Sequence, residues 1–239
     1  MASANVALII PFRDRGNDPL RQENLKAVER HWWLYPFLER VVVGDGRTGD
    51  AQFNRSAAYN AGMRPITTAD AFVFSESDML IHYDQIDEAV KLALKAPGLV
   101  VPFDEYCYLR PGDSTYVRGG TRNPEQCVPE WVMAKGRAVG AINVVSRETM
   151  KLVGQWDEKF QGSWYDDRAM KIAFEICAGP TRIVPGSAYH LYHQPGWGGD
   201  HLTDEDKAAT RANKMRYRSY CLAKTPEKIR ELTAGGGFQ

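Results

Sequence analysis

The sequence has few cysteines and no long apolar run. Its four cysteines, in 239 residues, are widely scattered and form no Cys-x-x-Cys pair, which argues against a structural zinc site and against a compact disulfide framework. No segment approaches the roughly 18 consecutive apolar residues of a membrane helix, and the first residues lack the basic and apolar regions of a signal peptide. We therefore expect a cytoplasmic protein with free thiols and no membrane span.

The chain also lacks an excess of charge of either sign. Lysine plus arginine and aspartate plus glutamate each number 30, so net charge gives no general attraction to nucleic acid or to an anionic membrane. Two phosphate-binding motifs are missing as well, the Gly-x-Gly-x-x-Gly of dinucleotide-binding folds and the Gly-x-x-x-x-Gly-Lys of P-loop proteins. If the protein binds a nucleotide, other groups must hold it.

What the sequence does contain is an alternation of apolar strands and amphipathic helices. Strand-like runs lie at 6–10, 41–43, 73–74, 99–101 and 139–145, and helical spacing at 20–32, 54–63, 84–95, 147–153, 166–177 and 203–220. Short branched apolar runs are typical of strands buried in a parallel sheet. The alternation predicts one α/β domain with a mostly parallel central sheet flanked by helices. Residues 104–135 show no clear periodicity, which is typical of a functional loop.

Charged side chains follow the predicted strands. Arg13 and Arg15 come after the first strand, and Glu76 and Asp78 after the third. In open α/β sheets, ligands bind beyond the carboxyl ends of the strands. Guanidinium groups suit phosphate, and carboxylates can hold Mg²⁺ or Mn²⁺ that in turn binds a diphosphate. Either pair alone could be a solvated turn, but together they indicate a nucleoside diphosphate derivative as ligand.

Four longer segments occur in a characteristic order. They are VALIIPFRDR at 6–15, FNRSAAYNAG at 53–62, SESD at 75–78 and GAINVVSRETMKLVGQWDEKFQGSWYDD at 140–167. They resemble segments of the metal-dependent glycosyltransferases of the GT-A fold, above all the β-1,4-galactosyltransferase group and related family 2 enzymes. The likeness runs from the N-terminus to about His193.

The resemblance implies a single GT-A (Rossmann-like) domain and an activity. The nucleotide-binding half would be 1–103, the acceptor and catalytic half 104–202, and a C-terminal helical tail 203–239. The implied enzyme transfers a hexose (Gal, GalNAc or Glc) from a UDP-sugar to an acceptor hydroxyl, with Mn²⁺ or Mg²⁺ as cofactor and inversion at the sugar. The acceptor could be a glycan, a small molecule or a modified nucleic acid. Without a membrane anchor, a bacterial or phage setting is expected.

The resemblance also assigns roles on the donor side. Pro11, Phe12, Arg13 and Arg15 match the family loop that binds the uracil and diphosphate. The nucleotide pocket would be completed by Phe53, Asn54 and Arg55. The sugar would be contacted by Gly140, Ala141 and Asn143. Glu76-Ser77-Asp78 falls at the Asp-x-Asp motif, which implies Asp78 as metal ligand. Glu76 replaces the first aspartate of the motif and would face the ribose or sugar. Ser77, between Glu76 and Asp78, is counted with the nucleotide-sugar-binding residues. This departure leaves the metal preference open.

On the acceptor side, Asp166 and Asp167 match the Glu-Asp pair that ends in the family's catalytic base. An acceptor hydroxyl is a poor nucleophile, and a nearby carboxylate can remove its proton. We expect Asp167 to be the base and Asp166 to bind acceptor hydroxyls, although the pair could equally cap the helix that follows. Trp164 and Tyr165 are the expected acceptor contacts, with Trp164 one position later than the family tryptophan.

Two histidines complete the candidate metal ligands. His190 and His193, three residues apart on a strand, would point to opposite faces and reach one ion only if the chain turns. The resemblance favours His193, while His190 stands where the galactosyltransferases have a methionine ligand. Whether His190 is a ligand stays open.

A basic helix face and two other functions are left undecided by the sequence. Lys207, Arg211, Lys214 and Arg218 share one face of the last predicted helix, which is either solvated or in contact with a polyanionic acceptor. A sugar nucleotidyltransferase would be expected to have a Gly-rich loop after the first strand, where this chain has Phe-Arg-Asp-Arg. A non-catalytic sugar or nucleotide binding module is the other alternative.

Overall fold

The computed structural model describes residues 4–16, 18–133, 138–194 and 202–234. Its strands are β1 (Val6–Pro11), β2 (Glu39–Val43), β3 (Ala71–Ser75), β4 (Met79–Ile81), β5 (Val100–Val101), β6 (Glu105–Tyr108), β7 (Trp131–Met133), β8 (Ile142–Ser146), β9 (Arg182–Ile183) and β10 (Ser187–His190). Its α-helices are α1 (Pro19–Trp32), α2 (Arg55–Met63), α3 (Tyr83–Lys95), α4 (Pro111–Arg118), α5 (Arg147–Val153), α6 (Asp166–Cys177), α7 (Asp204–Leu222) and α8 (Pro226–Thr233).

A six-stranded sheet in the order β2-β1-β3-β8-β5-β9 forms the centre of the molecule. Strand β8 runs antiparallel to both of its neighbours, and the other adjacent pairs are parallel. The apolar residues of β1 and β3 are buried, as expected for strands covered on both faces. The prediction of a mostly parallel sheet flanked by helices is therefore confirmed, with one antiparallel strand added.

A second, four-stranded sheet in the order β4-β10-β6-β7 extends the first. Strand β4 follows β3 after only the turn Glu76–Asp78, and β10 pairs antiparallel with β4 and parallel with β6. This sheet was not predicted, since 104–135 was expected to be an irregular loop. The correction is that β6, α4 and β7 lie in that segment.

Helices α1 and α2 begin at capping residues that are visible in the sequence. The Asp18 side chain accepts a hydrogen bond from the backbone N–H of Leu20 at the start of α1, and Asn54 accepts one from Ala57 at the start of α2. Helix α2 packs so closely on β1 that a Cβ at Gly62 would lie 2.7 Å from Cγ2 of Ile9. These contacts fix the loops that follow β1 and precede α2.

A buried ion pair ties α7 to the loop that leads into α6. The Asp157 carboxylate accepts hydrogen bonds from Arg216 Nε at 2.7 Å and from the Tyr220 hydroxyl at 2.8 Å. On the outer face of α7, the predicted basic residues are exposed; they are Lys207, Arg211, Lys214 and Arg218. None of the helices in the described ranges combines the length and apolar character needed to cross a bilayer.

Candidate active site

The three predicted metal ligands meet beyond the end of β3. The Asp78 carboxylate oxygen Oδ2 lies 2.9 Å from His193 Nε2 and 3.7 Å from His190 Nε2. Strand β10 ends at His190, and the chain then turns, held by a hydrogen bond from the Leu191 N–H to the Asp78 carbonyl oxygen. Buried Asn24 supports this turn by donating to the carbonyl oxygens of the next residues. The turn brings both histidines to one point.

The hydrogen bonds of this cluster fit a bound cation. His193 Nδ1 lies 2.7 Å from the Gln194 carbonyl oxygen, which can only accept, so Nδ1 carries a proton. With that proton on Nδ1, the Nε2 lone pair of a neutral ring faces Asp78 Oδ2, and a shared cation or second proton would relieve their repulsion. The other Asp78 oxygen, Oδ1, is buried with no hydrogen-bond partner among the described residues.

The protonation states of the cluster also suit a metal. Burial lowers the pKa of His190 to about 4, against the opposing effect of Asp78, so this imidazole is neutral at pH 7. Burial acts to raise the pKa of Asp78, but the two histidines and Arg21 hold it below its ordinary value. One carboxylate and two imidazoles whose ligand atoms lie within 4.8 Å of one another are a donor set suited to first-row divalent ions such as Mn²⁺.

A second cluster gathers three carboxylates around one guanidinium. Arg55 Nη2 lies 2.5 Å from Asp166 Oδ2 and 2.5 Å from Asp167 Oδ1, and its Nη1 pairs with Glu76. The charges of this cluster do not balance, with three acidic groups to one basic group when all are ionised. Arg55, which was predicted to bind the nucleotide, therefore forms an ion pair with the predicted base Asp167. The separate sequence motifs did not indicate this contact.

The Asp167 carboxylate has the environment expected of a general base. Burial raises the pKa of Asp167 to about 6, Asp166 adds to the rise, and Arg55 opposes it. A Cβ at Gly140 would collide with this carboxylate, so only glycine leaves room for it there. Asp166 is 6% exposed and paired with Arg55, and its contact with an acceptor stays a prediction.

The backbone on both sides of Asp167 takes unusual conformations. Ala141, Trp164 and Tyr165 have positive φ angles of 70°, 79° and 74°, which cost energy for residues with a side chain. The Asn213 side chain on α7 holds the loop before Asp166: its Nδ2 donates to the carbonyl oxygens of Gln161, Ser163 and Trp164. Its Oδ1 accepts from the Gln161 N–H.

The two predicted acceptor aromatics and the predicted sugar contact Asn143 have different surroundings. Trp164 is exposed, whereas the Tyr165 ring packs 5.6 Å from the ring of Tyr217. The Asn143 amide donates to the carbonyl oxygens of Val139 and Ile142, so it orders the backbone of residues 139–142.

The predicted nucleotide loop contains an arginine that is largely occupied by the protein. Arg13 Nε donates to Asp45 Oδ1 at 2.8 Å, and its Nη atoms donate to the carbonyl oxygens of Gly49 and Ala51. Its guanidinium also lies over the Phe53 ring, 5.9 Å from the centroid. These contacts make Arg13 an organiser of the loop at 45–53, and direct contact with a diphosphate stays a prediction.

Arg15 and Arg21 are better placed to meet an anion. Both line a cleft of about 180 Å³. Arg15 Nη2 donates to the Asp50 carbonyl oxygen and its Nη1 lies 3.9 Å from Asp206, but its Nε is buried and has no hydrogen-bond partner among the described residues. Arg21 makes a long 3.5 Å contact with the Gln194 carbonyl oxygen. The cleft is also lined by the predicted residues Pro11, Phe12, Arg13, Phe53 and Ser77. Arg21 was not predicted as a site residue from the sequence. Its position in the first turn of α1, directly after the loop that follows β1, could have indicated it.

Comparison with known proteins places the chain by fold alone. No protein-family model and no curated protein matches the sequence. Glucosyl-3-phosphoglycerate synthase from Mycobacterium tuberculosis, in complex with Mn²⁺, UDP-glucose and glycerol 3-phosphate, matches with a TM-score of 0.56 and 15% identity over 93% of this chain and 80% of that chain. The same enzyme with Mg²⁺ and UDP gives 0.55 and 14%, with 93% and 80% covered.

A third solved structure, the catalytic domain of Drosophila β1,4-galactosyltransferase 7 in complex with xylobiose, is 16% identical. Its TM-score is 0.49, over 87% of this chain and 80% of that one. The synthase structures confirm the fold that the sequence resemblance implied, the GT-A fold of metal-dependent glycosyltransferases.

Proposed function

We propose that the protein is a metal-dependent glycosyltransferase that transfers a hexose (Gal, GalNAc or Glc) from a UDP-sugar to an acceptor hydroxyl. One observation carries this proposal: the turn Glu76–Asp78 joins two different clusters. Asp78 belongs to the carboxylate and histidine cluster, and Glu76 belongs to the acidic cluster around Arg55. A candidate metal site and a candidate general base therefore lie at the same edge of a GT-A fold.

On the donor side, Asp78, His190 and His193 would hold Mn²⁺ or Mg²⁺. A metal bound there would neutralise charge on the leaving diphosphate. Arg15 and Arg21 supply further positive charge along the cleft. The aromatic faces of Phe12 and Phe53, which line the same cleft, suit the flat uracil ring.

On the acceptor side, Asp167 would remove the proton of the attacking hydroxyl. A pKa of about 6 leaves this carboxylate ionised at neutral pH and more basic than an ordinary aspartate, which favours proton transfer. Arg55 fixes the orientation of the carboxylate, and Gly140 provides the space for it. A single displacement with inversion follows if Asp167 acts as base on an acceptor opposite the leaving UDP.

The test is the release of UDP from UDP-glucose, UDP-galactose and UDP-GalNAc in the presence of Mn²⁺. We expect turnover of at least one donor, and a loss of about 100-fold or more in Asp167→Asn and in Asp78→Asn. The matched control is Asp84→Asn, because the Asp84 side chain is 87% exposed at the start of α3 and should not affect turnover.

Two outcomes would replace the proposal. Binding of UDP-sugars with no turnover in water or with any acceptor would favour the binding module. Formation of a UDP-sugar from UTP and a sugar phosphate would favour the nucleotidyltransferase.

A further inference from the structure

A row of aromatic side chains crosses the second sheet and ends at the candidate metal cluster. His190 of β10 is paired in register with Tyr108 of β6, and Tyr108 with Trp131 of β7. Residues paired across strands lie on the same face of a sheet. The Tyr108 and Trp131 rings stack, with centroids 4.8 Å apart and an interplanar angle of 28°, and Tyr108 lies 4.9 Å from the His190 ring.

The outer end of this row is open to solvent, whereas its inner part is fixed. Trp131 is 51% exposed, although Trp32 and Trp156 are buried in the core. The Tyr106 ring is buried beside Tyr108, with ring centroids 4.6 Å apart. The Tyr106 ring also lies 5.8 Å from the His190 ring, so the inner rings of the row pack against one another. The row is therefore a supported surface with one exposed ring.

We propose that the outer face of the Trp131 ring, backed by the stacked ring of Tyr108, forms a stacking platform for a pyranose ring of a saccharide acceptor. This inference rests on the proposed function, and it narrows the acceptor to a glycan or glycoside. A pyranose ring presents a flat face of C–H groups to an aromatic ring, while its hydroxyls stay free at the edge.

The spacing of the strands agrees with this platform. Neighbouring strands lie about 4.8 Å apart, so Trp131, two strands from His190, stands about 10 Å from the metal cluster. A ring on the outer face of Trp131 lies further out still, because β7 is the edge strand, so an acceptor of two or more hexose rings is needed to bridge the separation. A saccharide stacked on the platform could thus place its reacting hydroxyl near the clusters of Asp78 and Asp167.

The local charge disfavours a nucleic acid on the same surface. Binding a polynucleotide needs several cations for its phosphates, but the sequence of the two strands and their flanks, 105–110 and 130–137, is close to charge balance, with Glu105 and Glu130 against Arg110, Lys135 and Arg137. The basic face defined by Lys207, Arg211, Lys214 and Arg218 belongs to α7, which packs against α6 and α8. The platform is therefore suited to a neutral, hydroxyl-rich ring.

The experiment measures the binding of simple glycosides to the protein with Mn²⁺ and UDP, by saturation-transfer NMR and calorimetry. The probes are the methyl β-glycosides of glucose, galactose and xylose and methyl α-mannoside. We expect at least one to bind, Trp131→Ala to weaken its affinity about tenfold or more, and Trp131→Phe to restore most of it. The control is Trp33→Ala, since Trp33 is 72% exposed at the end of α1 and should leave glycoside affinity unchanged.

UDP affinity in the same samples separates the two proposals. If the wild-type protein does not bind UDP with Mn²⁺, the proposed function fails. If UDP binds but no glycoside binds, or if Trp131→Ala leaves glycoside affinity unchanged, the platform is wrong. Binding of a short oligodeoxythymidine that depends on Trp131, without binding of any glycoside, would overturn the saccharide assignment. Circular dichroism confirms that each variant is folded.

Discussion

Replacement of Asn213 by alanine should disturb the segment that carries the candidate base. Its amide has two N–H groups that serve three carbonyl oxygens, and its oxygen accepts one backbone N–H. Counting three full hydrogen bonds at about 1 kcal/mol each, we expect the free energy of unfolding to fall by about 3 kcal/mol. The loop ends in two residues with positive φ, Trp164 and Tyr165, so losing this support should also allow the loop to relax and displace Asp167.

Urea denaturation measures the stability, and UDP release with a saturating donor measures kcat. We expect kcat to fall about tenfold or more in the Asn213→Ala variant, because small displacements of a catalytic group are costly. Asn213→Asp keeps the acceptor atom but cannot donate, so it should be no better than alanine. Asn5→Ala is the control, since this exposed side chain makes one long hydrogen bond of 3.4 Å. A stability loss below about 1 kcal/mol with unchanged kcat would refute the reasoning.

Three further predictions concern the base and its support. Because the pKa of Asp167 is raised to about 6 and a base must be ionised, kcat should fall as the pH drops below about 6. Asp166→Asn removes a neighbouring negative charge and should move this fall in kcat to lower pH. A fall in kcat centred near pH 4 in the wild type would contradict the role of Asp167. Gly140→Ala should lower kcat by collision with Asp167, whereas Gly112→Ala, with open space around it, should not; equal activities would contradict the placement. Asp157→Ala should reduce the free energy of unfolding by about 3 kcal/mol in urea denaturation, because it leaves Arg216 without its buried partner; a change below about 1 kcal/mol would count against it.

The sequence predicts the elements whose signals are local. Helix α6 has the predicted bounds, Asp166–Cys177, and β1 is the predicted buried run extended by Pro11. Capping by Asp18 and Asn54 marks the starts of α1 and α2. These elements suffice to predict an α/β alternation of strands and helices, whereas the GT-A fold was implied only by the resemblance of the four longer segments.

The second sheet could not be predicted in the same way. Its strands are three or four residues long, too short for a clear alternation, and they pair with strands far away in the chain. Strand β8 is also shorter than the predicted 139–145, because Gly140 and Ala141 lie in the turn before it, and it begins at Ile142. The aromatic row of Tyr108 and Trp131 depends on that pairing and is invisible in the sequence.

Most residues of the candidate site were named from the sequence, but Arg21 was missed and the contacts between the residues were not predicted. The turn after His190 decides that both histidines face Asp78, and sequence spacing left this open. The engagement of Arg55 with Asp167 and that of Arg13 with its own loop also depend on the folded chain. A side chain that a motif assigns to ligand binding can instead hold another part of the protein in place. Only the contacts in the folded structure distinguish these two roles.

The most direct test of the account is a calorimetric titration of UDP into the protein with and without Mn²⁺. We predict that tight binding of UDP requires Mn²⁺. Asp78→Asn and His193→Ala should bind UDP weakly with or without Mn²⁺ because they lose the metal, whereas Asp84→Asn should behave as the wild type. UDP binding that is equally tight without Mn²⁺, or a Mn²⁺ effect that persists in Asp78→Asn, would contradict the assignment of Asp78, His190 and His193 as the metal centre.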